Sequence, residues 1–176
     1  WMDSENIFYV KEFYRGGTFT VNIYNRSTRS KRQIAAFSGF PIEAKCSGRF
    51  IFVKRAAINA EFKPQIICID TKTGNKNTIE RTSVFADFTT TASGSVIYET
   101  NKGICEYTPS SAVEFTVIPA AAYSHIKNRG NVTIAYRSPS SRYTAVICGG
   151  GGEYSCAIIS KGKAVANVSG VSSGSE

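Results

Sequence analysis

The sequence predicts an all-β fold, a WD40-like β-propeller of about four blades with four antiparallel strands each. Three observations carry that expectation. Strand formers dominate: nine Tyr and eleven Phe accompany abundant Val and Ile, and the 176 residues contain no Leu. A small polar turn leading directly into an apolar strand recurs four times, as SEN-IFYV, SGR-FIFV, SGS-VIY and SSR-YTAVI. The recurrence is also regular, because aligning Glu5, Gly48, Gly94 and Ser141 gives intervals of 43, 46 and 47 residues. A β-sandwich also turns about every eight to twelve residues, but it does not demand the same phrase at near-constant spacing.

The remaining elements follow in order. Each first strand is succeeded by a second apolar one: TVNIY, QIICI, GICEY and YSCAII. Each of these runs into a turn rich in Asn, Asp, Ser, Pro or Gly, namely NRST, DTKTGN, TPSS and SKGK. A further strand follows each turn, as at residues 31–36 and 112–118, and short strands FPIEA, VFADF and VTIAY precede three of the polar turns. The expected blades span 1–39, 40–83, 84–131 and 132–170, with a flexible Ser/Gly tail over 171–176. Four such units are expected to form part of a larger propeller. Apolar positions of the repeated strands predict a core that includes Ile51, Val53, Ile67, Ile69, Val96, Ile134, Val146 and Ile158.

Twenty-one Lys and Arg against thirteen Asp and Glu give a net charge of +8, which suits an anionic partner and says nothing about fold. No apolar run approaches the roughly 20 residues of a membrane helix. The first ten residues lack the basic start and apolar core of a signal peptide. Five cysteines, Cys46, Cys68, Cys105, Cys148 and Cys156, include no CxxC pair, and several lie in strand-like runs. They read as small core residues in a reducing, cytoplasmic compartment. Sequons at Asn25, Asn131 and Asn167 point the other way.

Motifs for catalysis are sparse. His125 is the single histidine and sits in an irregular stretch, read as a loop at a blade junction. The run Gly149–Gly152 lacks the Lys-Ser/Thr pair of a phosphate loop and reads as a flexible hairpin connection. Scattered acids give neither a metal cluster nor a carboxylate pair, so the sequence offers no catalytic residue, no metal ligand and no cofactor site. Basic residues are the remaining signal. Arg26, Arg29, Lys31 and Arg32 fall within seven residues that hold no acid, on the turn NRSTRSKR between two strands. Lys54 and Arg55 end a strand, and Lys127 and Arg129 occupy another junction. Cations carried by turns on a rigid scaffold reach phosphates without reading base sequence. These eight residues are the candidate RNA or partner contacts.

The order of these pieces resembles the propeller of subunit b of eukaryotic translation initiation factor three, and that of the related initiation factor two-A. The phrases that carry the resemblance are VNIYNRSTRSKRQI, CSGRFIFVKRAAINAEFKPQIICI, VFADFTTTASGSVIYET and RSPSSRYTAVICGGGGEYSCAII. A Trp expected before several blade turns is absent near Lys45, Thr90 and Arg137, and Ser141 stands where a turn Gly is expected. The resemblance implies a non-catalytic scaffold that contacts other initiation factor subunits and the small ribosomal subunit, both its RNA and its proteins. It implies no membrane contact and no small-molecule substrate. The last phrase is also similar to coatomer propellers, which leaves open a vesicle-coat or other protein-only assembly. An extracellular or capsid-type β-domain is the third reading, favoured only if the sequons carry sugar.

Overall fold

The structure, a computed structural model, describes residues 2–13, 16–56, 64–79, 87–127, 131–150 and 153–172. Strands β1 (Asn6–Phe13), β2 (Thr18–Asn25) and β3 (Lys31–Ser38) form the first sheet. Strands β4 (Phe40–Ser47), β5 (Phe50–Ala56), β6 (Gln65–Asp70) and β7 (Lys76–Ile79) form the second. The third holds β8 (Thr89–Thr90), β9 (Val96–Thr100), β10 (Gly103–Thr108) and β11 (Val113–Pro119). A 3₁₀ turn (Ala120–Ala122) and the one-turn helix α1 (Ser124–Lys127) lead on toward the fourth. That sheet comprises β12 (Asn131–Arg137), β13 (Thr144–Gly150), β14 (Glu153–Ser160) and β15 (Lys163–Ser172). Every sheet is an antiparallel meander in chain order.

Three sheets have the expected four strands and the first has three. The expected short strands FPIEA and VTIAY become β4 and β12, the first strands of their sheets. The expected strand VFADF falls largely outside the described residues. Of the segment expected as a tail, Val171 and Ser172 belong to β15 and the remainder lies outside the described residues. Similarly, β13 extends through Gly150, so the first half of the glycine run is strand. Gly149 lies opposite Tyr154, whose ring covers the space a Cβ would need.

By packing, the chain divides into two compact units, Trp1–Val84 with Ala92–Gly94, and Phe85–Thr91 with Ser95–Glu176. In the first, one face of β2 and β3, bearing Phe19, Val21, Ile23 and Ala35, closes on Ile51, Val53, Ile67 and Ile69 of β5 and β6. Strands β5 and β6 are buried on both faces, which explains their unbroken apolar runs. In the second unit Ile97, Ile104 and Ile118 pack with Val146, Cys148, Ala157 and Ile159, and Tyr123 and Ile126 seal this core.

Six of the eight expected core residues are buried; Ile134 and Ile158 are half-buried. Both sit one position out of register with the core. Ala135, Val146 and Ala157 align across the fourth sheet on its buried face, while Ile134, Ile147 and Cys156 align on the other. Tyr136 and Val168 lie on that second face at 51% and 52% exposure. Gly103 adopts φ +130°, and a Cβ there would stand 2.1 Å from the Ile118 carbonyl oxygen, so only glycine lets β10 leave its turn so close to β11.

Candidate nucleic-acid interface

The turn between β2 and β3 is locked by its own side chains. The Asn25 carboxamide oxygen accepts the Thr28 N–H at 2.8 Å and the Thr28 hydroxyl at 2.9 Å, and the Asn25 N–H donates to the Ser30 carbonyl at 2.9 Å. Asn favours this role because its short side chain mimics a backbone turn. Arg29 takes the left-handed conformation, φ 54°, that reverses the chain. The Asn25 amide also donates to Asn6 at 3.1 Å and the Arg26 N–H to the Glu5 carbonyl at 2.8 Å, fastening the turn to the entry of β1.

On this frame Arg26, Arg29, Lys31 and Arg32 are all exposed. The Arg26 guanidinium reaches the Ser4 carbonyl and that of Arg32 the Thr71 carbonyl, each at 3.4 Å. Beside them is a pocket of about 570 Å³ whose lining includes Arg32, Ser30, Arg49 and Thr71 over Met2 and Ile23. Arg49 pairs with Asp70 at 3.2 Å and lies over the Phe50 ring. Burial pushes the Asp70 carboxyl upward, but the N–H groups of Lys72 and Thr73, the Thr73 side chain and the Arg49 charge outweigh it and hold the carboxyl below its ordinary value.

The other expected contacts do not join this cluster. Lys54 is a correction: it is 1% exposed, and register places it opposite Glu43, so no phosphate can approach it. Its face of β5 also carries Phe50 and Phe52, which makes it an interior position. Arg55 donates to the Ser38 carbonyl at 2.8 Å and to the Gln65 carboxamide at 3.0 Å. Desolvation depresses its basicity, and its Ser38 partner lies at the end of β3 remote from Lys31. Lys127 ends α1 with its ammonium 2.7 Å from Glu99. Arg129 lies outside the described residues. His125, expected in a loop, is on α1, with Nε2 3.1 Å from the Asn167 carboxamide oxygen.

Arg49 was not among the expected contacts, although its turn phrase SGRF was plain; the signal missing was the neighbouring turn that brings Arg32 beside it. Among the described residues no three His, Cys, Asp or Glu side chains gather to hold a metal ion.

No protein-family model matches the sequence, and no curated protein matches it significantly. Solved structures do. The chain is similar to TolB from Acinetobacter baumannii, with 16% identity and a TM-score of 0.58 over 95% of this chain and 41% of that one. It is similar to the tricorn protease at 15% identity and a TM-score of 0.63, covering 84% of this chain and 14% of that one. The β-propeller domain of the Trilobed protease from Pyrococcus furiosus, with an open velcro topology, matches at 9% identity and a TM-score of 0.54, over 74% and 42%.

The fold is a β-propeller. The four sheets are its blades, and the chain spans less than half the length of each of these neighbours. Identities this low establish architecture alone, since one superfold hosts many functions.

Proposed function

We propose that this chain is a non-catalytic scaffold propeller that docks through its basic hairpin on an anionic partner, the RNA of the small ribosomal subunit. The observation that supports this most is the β2–β3 turn, which presents four exposed cations on a frame braced by Asn25. A braced turn pays little ordering entropy when its cations meet phosphates. The order of sequence phrases similar to initiation-factor propellers supplies the ribosomal identity and the companion factor subunits.

Salt dependence tests the reading. Binding of the chain to small ribosomal subunits and to a single-stranded RNA would be measured across ionic strength. Each phosphate contact contributes about 0.7 to 0.9 to the slope of log affinity against log salt. Replacing Arg29 and Lys31 together by Ala is expected to weaken binding and flatten that slope by about 1.5 units. Unchanged affinity at both low and physiological salt would make the hairpin a solvated tip.

A second reading, an assembly propeller that binds protein only, is favoured by the apolar outward face of the fourth sheet, where Ile134, Ile147, Cys156, Ile158, Tyr136 and Val168 lie together. Apolar patches of this kind mark protein contacts. Ribosome co-sedimentation separates the two readings.

A further inference from the structure

We propose that the pocket beside the basic hairpin binds the phosphate of a nucleotide-sized ligand, held between Arg32 and Arg49. The inference rests on the reading that this end of the first unit meets an anionic partner, and it names the part of the surface that is built as a site. The cavity of about 570 Å³ falls in the ~300–1,000 Å³ range of small-ligand sites. That is larger than a bare anion requires and suits a phosphate with an attached sugar and ring.

The walls come from turns that converge at one end of the first two sheets. Arg32 enters from β3, Arg49 from the β4–β5 turn and Thr71 from the β6–β7 turn. A guanidinium carries five N–H donors in a planar fork that matches phosphate oxygens. Arg32 gives one donor to the Thr71 carbonyl at 3.4 Å, and Arg49 reaches Asp70 at 3.2 Å while its Cζ lies 5.0 Å from the Phe50 ring centroid. Both heads are therefore positioned, and both keep donors for a ligand.

The Thr28 and Ser30 hydroxyls, 2.8 Å apart, line the hairpin side with their protons engaged by Asn25 and by each other, and Ile23 with Met2 offers an apolar surface for a ring. Gly48, at φ +53° with no atom within 4 Å of a built Cβ, leaves the entrance open. The one acid of the lining, Asp3, is turned to its own loop: it accepts the Glu5 N–H at 2.8 Å, the Asn6 N–H at 2.7 Å and the Asn6 amide at 3.1 Å. Those bonds engage its oxygens without cancelling its charge, and Asp70 offsets that of Arg49, so a ligand would be recognised through the unused guanidinium N–H donors of Arg32 and Arg49 rather than through a net positive field.

A free nucleotide and one unit of an RNA strand share this chemistry. The test titrates uridine 5′-monophosphate, uridine and inorganic phosphate into the full chain, read by calorimetry and amide chemical shifts, with a uridine hexamer in a parallel arm. The nucleotide is expected to bind saturably and uridine to leave the amide shifts unmoved. Arg32→Gln and Arg49→Gln should each weaken nucleotide binding about tenfold, the worth of one charge-assisted hydrogen bond. The paired Arg29→Ala and Lys31→Ala change should leave it within about twofold, as expected of exposed rim charges.

Arg49→Gln also releases Asp70, so Arg32→Gln, with a normal melting curve, decides. Parental affinity in that folded variant, or no saturable nucleotide binding at millimolar concentration, overturns the proposal. Hexamer binding that is lost in the Arg29 and Lys31 variant, with no nucleotide binding, removes the pocket and leaves the hairpin reading standing. Nucleotide binding that depends on Arg32, with no hexamer or ribosome binding, sustains the pocket and removes the hairpin reading.

Discussion

The Lys127 ammonium lies 2.7 Å from the Glu99 carboxylate, which also accepts the Tyr123 hydroxyl at 3.2 Å. Glu99 is among the most buried acids described, with 6% of its side chain exposed, while Lys127 keeps 42%. The cation thus caps a carboxylate that the second core would otherwise hold uncompensated. A buried charge deprived of its partner costs more than the pair contributes.

Removing that cap should destabilise the chain. Lys127→Met is expected to cost about 2 kcal/mol, within the range for hydrogen bonds to charged groups. Adding Glu99→Gln to it should recover part of the loss, because the buried charge is then gone. Urea unfolding of both variants checks the pair, and a Lys127→Met protein as stable as the parent would remove Lys127 from the structural role assigned to it.

Truncating isoleucines in β5 and β14 should separate buried from half-buried positions. Ile51→Ala removes a fully buried side chain in β5 and is expected to cost about 2 to 4 kcal/mol. Ile158→Ala lies on the outward face of the fourth sheet and should cost about 1 kcal/mol. Equal losses in denaturant titration would contradict the register of β14.

Two glycines test backbone constraint against open space. Gly103→Ala forces a Cβ into the backbone of residues 118–120 at φ +130° and is expected to cost about 3 kcal/mol or more. Gly162→Ala, at φ +73° with nothing within 4 Å, carries only left-handed strain of about 1 kcal/mol. Thermal melting of the two variants should rank them in that order.

Buried thiols set an alkaline limit. Burial, reinforced by Asp70, pushes the Cys68 thiol up to about 12, and burial with Glu99 close by pushes Cys148 up to about 11, from an ordinary value of 9.0. The folded state holds these protons more tightly than the unfolded chain does. Their contribution is therefore complete below about pH 9 and is lost as pH rises through 11 and then 12. Stability measured from pH 8 to 11 should fall, and Cys148→Ala should flatten the fall. In the native protein at neutral pH, thiol reagents should modify Cys46 and Cys156 before Cys68, Cys105 and Cys148, which are buried.

Much of this architecture was legible in the chain. Ile51, Val53, Ile67 and Ile69 were readable because FIFV and QIICI are continuous apolar runs, and strands buried on both faces need no alternation. Ile134 misled because the large side chains of β12, Ile134 and Tyr136, share the half-buried to exposed face while the small Ala135 points inward, and Ile158 misled because β14 is apolar on both faces, so a period of two does not say which is inward. Lys54 read as a solvated strand end, and only the pairing with β4 shows its interior position. The hairpin cations were legible from composition and turn chemistry. Arg49 was not, because it lies 17 positions beyond Arg32 and the two meet at one pocket only through separate strand pairings.

Among the described residues each strand pairs only with strands adjacent to it in the chain, through connections that are mostly short. Sequence-local pairing lowers relative contact order, so little loop-closure entropy must be lost before a sheet begins to form. Each meander can collapse as soon as its last strand is available. During synthesis the first sheet can assemble before the residues of the fourth exist, so its interior strand β2 is left without partners only briefly.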